Sequence, residues 1–349
     1  MQITVRNAVH ALPHMITHIV DNGVEQDSRN GRTLELEGVT AIEYTRPTER
    51  QLFCPVRDEN PFFNYLEGLW MLAGRNDVEF LSKIVGRMAT FSDDGKTFNA
   101  AYGYRMRHHF GFDQLLTVID LLKKDPNTRQ AVVQLWDYQD LTKVTKDKAC
   151  NTQIVFKIRA GKLHMTVFNR SNDLIWGALG ANKSHFSMIQ EFVAAAVGVP
   201  IGSYYQVSNA MHVYTDLPAW NPLVDRYYHE AIKGRIVVDD PYEREVQPYP
   251  LVHKPDVFLK EVEAFCEDPL SDREYHNPSL GYVAKPLYKA YALHKAGDTA
   301  LAIRHLHTGM VQCDYNLAAS EWLYRRLAGQ YEKRFGHGQD LTDPDTLTH

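Results

Sequence analysis

The chain is poor in cysteine, and its cysteines follow no pattern. Cys54, Cys150, Cys266 and Cys313 are scattered through 349 residues with no CxxC pair, which excludes a disulfide framework and thiolate metal sites of ordinary spacing. A reducing, cytoplasmic setting is the expectation. The 16 histidines contain no HExxH; His108-His109 and the His305/His307 pair read as surface residues, so no metal is expected. No GxGxxG or Walker-type loop is present. No apolar run approaches the roughly 18 residues of a membrane span, and the start MQITVRNAVHALPHM lacks a signal-peptide core. Basic residues are not in excess: net charge is −5, which advertises no face for nucleic acid. Repeats and low-complexity tracts are missing as well. What remains, at 44% hydrophobic, is a globular chain able to bury a large core, as one domain with excursions or as two.

One stretch, 148–173, organises the rest. Two apolar, β-branched runs at 154–158 and 163–168 flank Ala160-Gly161-Lys162, the pattern of a β-hairpin whose glycine can take positive φ. Antiparallel pairing brings the hairpin's ends together, so one mouth holds a thiol (Cys150), a cation (Arg170), a hydroxyl (Ser171) and a carboxylate (Asp173). That set suits a nucleophile beside an anion site. A lone cysteine is more often a small buried hydrophobe. Here Lys146, Lys148 and Arg170 surround it, and nearby cations populate the thiolate.

Other elements follow in order. Residues 1–20 read as an amphipathic helix, and 23–31 as a polar loop before a strand near 33–36. Arg29-Asn30-Gly31 can grip an anion through guanidinium and backbone N–H or form a plain turn. Asn60-Pro61 opens a helix that Gly74 closes. Within it, Glu67 stands among Leu66, Leu69, Trp70 and Leu72; a carboxylate there needs a partner or a raised pKa and is a candidate for handling protons, unless it lies on a narrow wet stripe. Helices are expected at 76–86 and 112–124, and a strand at 131–136. Residues 176–182 read as a glycine-containing loop, with Asn182 as N-cap of a helix at 183–197. A strand at 203–208 precedes His212-x-Tyr214, whose alternate residues point one way, and a helix begins near Asp216. Residues 236–282 read as loop-rich, 285–335 as helical, and the tail from Gly336 as loose.

Taken in order, these residues resemble the thymidylate synthase superfamily over roughly 10–235. Arg29-Asn-Gly resembles its amino-terminal phosphate loop. Glu67 in EGLWML resembles its catalytic glutamate, and Tyr102-Gly103 its Y-G-x-x-W-R. Thr-Arg129-Gln resembles the S-R-R segment that reaches into the neighbouring subunit. Ala149-Cys150 resembles the Pro-Cys nucleophile, Arg170-Ser171-x-Asp173 the R-S-x-D motif, and His212-x-Tyr214 the H-x-Y that holds the sugar hydroxyl. The sequence also departs from true thymidylate synthases. Asn151 replaces the histidine after the nucleophile, and Gln130 the second arginine of S-R-R. One extra residue precedes Asn182, which matches the family's base-reading asparagine only across that gap. Met88 and Phe91 stand where the family has tryptophan, and TDPDTLTH has nothing like the apolar end that closes over the folate.

The resemblance implies an α/β (α+β) fold, a mixed twisted sheet under a helical layer, with a homodimer packed sheet to sheet and sharing its active sites. Residues 1–235 would form the catalytic core and 236–349 a loop-rich, then helical, part of the same domain. The implied substrate is a pyrimidine nucleoside monophosphate, with 5,10-methylenetetrahydrofolate as co-substrate. Cys150 would add to C6 of the base, while Glu67 and Tyr102 move protons. Arg29, Arg170, Ser171 and the second subunit's copy of Arg129 would hold the 5′-phosphate. Asn182 would read the base, His212 and Tyr214 the sugar, and Asp173 and Phe91 the folate. Hydride delivery to the resulting exocyclic methylene gives a methyl group; water gives a hydroxymethyl group. The altered aromatic wall and polar tail favour water, and Asn182 favours uracil, so the expectation is dUMP hydroxymethylation. The alternatives are a dCMP or CMP hydroxymethylase, as in viral DNA modification or nucleoside antibiotic pathways, a true thymidylate synthase, and an inactive nucleotide-binding relative.

Overall fold

In the computed structural model, residues 1–28, 31–234, 238–244 and 246–335 are described. The elements in chain order are strand β1 (Gln2–Val5), helix α1 (Ala8–Asn22), strands β2 (Gly23–Ser28), β3 (Gly31–Leu36) and β4 (Thr40–Tyr44), and helices α2 (Pro61–Leu72), α3 (Val78–Ile84), α4 (Tyr102–Tyr104) and α5 (Gln114–Lys124). Strand β5 (Val132–Gln134), the hairpin β6 (Asn151–Arg159) and β7 (Lys162–Asn169), and the short β8 (Asn172–Asp173) lead to α6 (Asn182–Val197), β9 (Ile201–Ser208) and β10 (Met211–Tyr214). Six helices complete the described chain: α7 (Trp220–Val224), α8 (Glu230–Ile232), α9 (Pro255–Glu267), α10 (Lys285–Lys295), α11 (Thr299–Gly309) and α12 (Asp314–Phe335).

The fold is α/β with two mixed sheets. One runs β1-β4-β9-β7-β6-β5, the other β2-β3-β10-β8. β7 and β9 are parallel neighbours in the first sheet. Both then cross into the second, where their continuations β8 and β10 are again parallel, with Asp173 opposite His212. This shared corner is where the chain's polar motifs converge. The hairpin turn is Ala160-Gly161, both at positive φ (49° and 70°), so Lys162 already belongs to β7, where it pairs with Arg159. Left-handed geometry at both central positions matches the strand twist.

One face of the large sheet is buried through Ile154, Phe156, Met165, Val167 and Tyr204, with α6 packed across β7 and β9. α6 is buried on nearly every side, as expected of a helix between a sheet and a second helical layer. α2 lies on α6, and the contact needs Gly68: a Cβ there would stand 2.4 Å from Met188 Sδ. α4 meets the end of α2 at Gly103, where a Cβ would stand 2.0 Å from the Met71 carbonyl oxygen.

Several sequence expectations are corrected. The first residues are not helical: the β-branched run Gln2–Val5 pairs parallel with β4, and Asn7 caps a helix that begins only at Ala8. Residues 23–28 form β2, paired along its length with β3, where polar residues suit an exposed edge. Residues 176–182 are helical rather than a loop. The segment Leu174–Ala181 is capped by the Asp173 side chain and breaks only at Gly180, so Asn182 caps nothing and is free for another role. The helix expected near Asp216 begins at Trp220, and the proline-rich stretch 236–282 contains α9, with Pro255 at its first turn. Arg29 and the tail from Gly336 lie outside the described residues.

Gly103→Ala forces a methyl group into fixed backbone rather than a yielding side chain. Denaturant unfolding is expected to show a loss of roughly 2–3 kcal/mol, with an unchanged midpoint contradicting the close approach.

Candidate active site

Cys150 stands immediately before β6, whose register is irregular between Asn151 and Gln153. The Cys150 and Asn151 amides both donate to the phenolic oxygen of Tyr102, at 3.0 and 3.2 Å. That oxygen comes from α4, so the Gly103 contact with α2 also sets the position of Cys150. Burial first, and the neighbouring Cys150 second, push the Tyr102 phenol well above its usual range. It therefore stays protonated, with a proton to offer.

Arg170 is fastened to the same stretch. Its amide donates to the Cys150 carbonyl and its Nε to the Ala149 carbonyl, both at 2.9 Å. One terminal nitrogen lies 3.8 Å from Cys150 Sγ, and the guanidinium faces the Trp136 ring at 5.6 Å. A guanidinium beside a sulfur favours the thiolate, the nucleophilic form. Ser171 follows at the corner, half-buried.

On the helical side, α2 presents Glu67 to α6. Its Oε2 lies 3.2 Å from His185 Nε2. Burial alone pushes the Glu67 carboxyl up to about 8. Burial, then Lys183, pushes His185 down to about 3, while the Asn64 backbone hydrogen bond works the other way. Both groups are thus neutral near pH 7. The contact joins a carboxylic acid to an imidazole and is no ion pair, despite its length.

At the corner, Asp173 caps the 174–181 segment with one carboxylate oxygen on the Trp176 amide, while its other oxygen is buried without a partner. Burial raises its pKa against that hydrogen bond and the charges of His212 and Arg57. His212 is buried, with Nδ1 also unpartnered, and its ring meets Tyr214 edge-on at 5.3 Å. Orphaned buried polar atoms on adjacent strands are what a site for a polar ligand leaves in an empty protein.

Asn182 donates to Asn172 Oδ1 at 3.0 Å, and its own Oδ1 lies 3.5 Å from Asn151 Nδ2, next in sequence to Cys150. The structure therefore gathers Cys150, Tyr102 and Arg170 through direct contacts, brings Asn182 to them by way of Asn151, and sets Asp173 with His212 and Tyr214 along β8 and β10. Phe91 is 42% exposed on the turn Gly86–Phe91. That turn is tied to the approach to Cys150 through Asp93, which accepts from Thr145 Oγ1 at 2.5 Å and the Lys146 amide at 3.0 Å. Arg129 is exposed before β5 and contributes nothing to this chain's own site. Reading the sequence missed His185, Asn172, Arg57 and Trp136. His185 had a signal, being one helical turn beyond Asn182. Arg57, which donates to the Ile175 carbonyl at 3.2 Å and lies 4.0 Å from the Trp176 ring centre, had none.

The thymidylate synthase family profile matches residues 10–241. A deoxyuridylate hydroxymethyltransferase of Pseudomonas phage M6 is 41% identical over 349 residues, covering 97% of each chain. A second protein of that description, from Bacillus phage SP01, is 42% identical over 58% of this chain and 56% of its own. The thymidylate synthase of Symbiobacterium thermophilum is 28% identical over 63% of this chain and 77% of its own.

Glu67 holds a proton in the folded state up to about pH 8 that the unfolded chain releases near 4.5. The folded state then binds more protons between those values, and Glu67 costs progressively more stability as pH rises through that window. Denaturant midpoints of wild type are expected to fall relative to Glu67→Gln between pH 5 and pH 8.5; parallel curves would mean that the carboxyl is solvated.

Proposed function

The chain belongs to the thymidylate synthase family, and on that footing we propose that it is a deoxyuridylate 5-hydroxymethyltransferase using methylenetetrahydrofolate. The observation that carries this is the near-full-length match to the phage M6 enzyme, over a site where a guanidinium lies beside the Cys150 sulfur and a phenol holds the Cys150 backbone amide. The folate supplies a one-carbon unit at the oxidation level of formaldehyde. Cys150 adds to C6 of the pyrimidine and makes C5 nucleophilic. Tyr102 and the protonated Glu67 carry the protons that leave and join the ring. Glu67 begins as an acid and, once it has donated, becomes the base that can draw a proton from water. His185, neutral beside it, leaves that cycle uncharged at both ends.

Phosphate recognition falls to Arg170 and Ser171, with Arg29 and the second subunit's copy of Arg129. His212 and Tyr214 address the sugar, and Asp173 with Phe91 the folate. Asn182 meets the base edge. The assembly is a two-fold homodimer. An apolar strip on the uncovered face of the large sheet supports this, because Val155, Phe168 and Val207 are half-buried there and Val132 is exposed; such a strip favours a covering partner. The catalytic core lies within residues 1–235, and the described residues from 238 onward belong to the same domain. None of the four cysteines is in a disulfide and, among the described residues, no helix is long and apolar enough to cross a membrane. A reducing, cytoplasmic setting suits a reaction that starts from a thiolate.

Mass analysis after incubation with dUMP and methylenetetrahydrofolate is expected to show a hydroxymethyl product without dihydrofolate. A methyl product with stoichiometric dihydrofolate would make the enzyme a thymidylate synthase, and no turnover a nucleotide-binding relative. Sharing of sites has its own test. Arg129→Ala and Cys150→Ala homodimers, each inactive, are mixed and allowed to exchange subunits. Activity is expected to return to about a quarter of wild type, since half the dimers are mixed and each of those has one intact site of two. No recovery despite exchange would place Arg129 elsewhere.

A further inference from the structure

An asparagine can serve either pyrimidine. Its oxygen accepts from N3–H of uracil while its nitrogen donates to O4; turned over, it donates to N3 of cytosine and accepts from the N4 amine. Asn182 alone therefore does not decide between the bases. What decides is which way its amide faces, and the structure constrains that.

The constraint starts from the backbone. The Ala178 carbonyl oxygen can only accept, and Gln206 Nε2 donates to it at 2.9 Å, alongside the Tyr44 hydroxyl at 3.0 Å. The nitrogen of Gln206 being committed, its Oε1 faces the other way and accepts from Asn172 Nδ2 at 3.0 Å. Asn172 is thereby oriented in turn, and its Oδ1 accepts from Asn182 Nδ2 at 3.0 Å. Asn182 is left with Oδ1 toward Asn151 at 3.5 Å, and with the second hydrogen of Nδ2. Gln206 is 0% and Asn172 2% exposed, so water does not relieve a reversed amide at either place. Ser208 Oγ, 3.1 Å from Asn172 Nδ2, can donate or accept and adds no direction. Gly177 makes room for the relay: a Cβ there would lie 2.4 Å from Asn172 Oδ1 and 3.1 Å from Asn182 Nδ2.

We propose that Asn172 and Gln206 are positioning residues that fix the facing of the Asn182 amide, so that the site accepts the uracil edge and refuses cytosine. Reversing Asn182 places its oxygen against Asn172 Oδ1, and correcting that reverses Asn172 and then Gln206, until two carbonyl oxygens meet at Ala178. Each reversal either opposes two acceptors or strands a buried polar group. The inference rests on the reading of Asn182 as the residue that meets the base.

The test compares dUMP with dCMP, by calorimetric binding and by kcat/KM with methylenetetrahydrofolate, for wild type and three variants. The ratio between nucleotides is the readout, because general damage to the fold affects both alike. Wild type is expected to prefer dUMP. Asn182→Ala is expected to erase most of that preference. Asn172→Leu and Gln206→Met, which remove the relay from its middle and its anchored end, are expected to lower the ratio roughly five- to tenfold. Gln206→Met keeps the side-chain volume and reads the relay by itself if Asn172→Leu does not fold. Should Asn182→Ala erase the preference while the folded relay variants keep it, the relay is refuted and the reading of Asn182 survives. Should Asn182→Ala keep the preference, Asn182 does not meet the base, and both statements fall.

Discussion

The active centre depends on one oxygen. The Tyr102 phenol receives two amide hydrogens, from Cys150 and Asn151, at the point where β6 departs from regular pairing. Without it, two buried donors would be orphaned, at a cost of about 1–3 kcal/mol each. With it, the residue that carries the thiol is held at a fixed distance from a phenol that keeps its proton. The same contact ties the sheet to the helices, because Tyr102 rides on a turn pressed against the end of α2. Buried Arg105, one turn further on, secures that element with a bidentate pair to Asp140 and a bond to the Leu135 carbonyl. Loss of either anchor would move Cys150 relative to everything else.

Around that centre, charge is distributed unevenly and to effect. The cation lies on the sheet side, where Arg170 faces sulfur and tryptophan. The helical side is neutral: burial strips the charge from Glu67 and from His185 alike. A dianionic nucleotide would meet a guanidinium on one side and no opposing carboxylate on the other. Further back, α6 is fastened by Lys183 to Glu59 and by Arg50 to Glu191. These buried pairs add little net stability, yet each would be costly to break from one side.

Much of this was legible in the sequence because local chemistry carried it. The hairpin announced itself by two β-branched runs and a turn glycine, and Asn60-Pro61 marked the start of α2 correctly. Glu67 stood out as the one carboxylate in an apolar helix. The misreadings have physical causes. Gln2–Val5 is a strand only because β4 lies beside it, a partner forty residues away, and the polar β2 shows no hydrophobic alternation. Asn182 looked like a cap because asparagine before an apolar helix usually is one; the actual cap, Asp173, lies nine residues earlier, at the start of a segment whose glycines suggested a loop. The second layer of the site was illegible for a deeper reason. Asn172, Gln206, His185 and Arg57 act through pairings between distant segments, and nothing local distinguishes such residues from ordinary polar ones.

The amide chain from Ala178 to Asn182 also bears on how the molecule can change over generations. A preference written into one exposed side chain can drift codon by codon through tolerable intermediates. Here the Asn182 amide, proposed to face the base, is the last of three coupled orientations closed by a main-chain carbonyl, and a methyl group on Gly177 would crowd Asn172 and Asn182. A lineage moving toward the other base would have to alter several buried positions together, or pass through forms with stranded amides and weakened folding. On the proposed reading, the choice of substrate is inherited with the core and changes only when the core does.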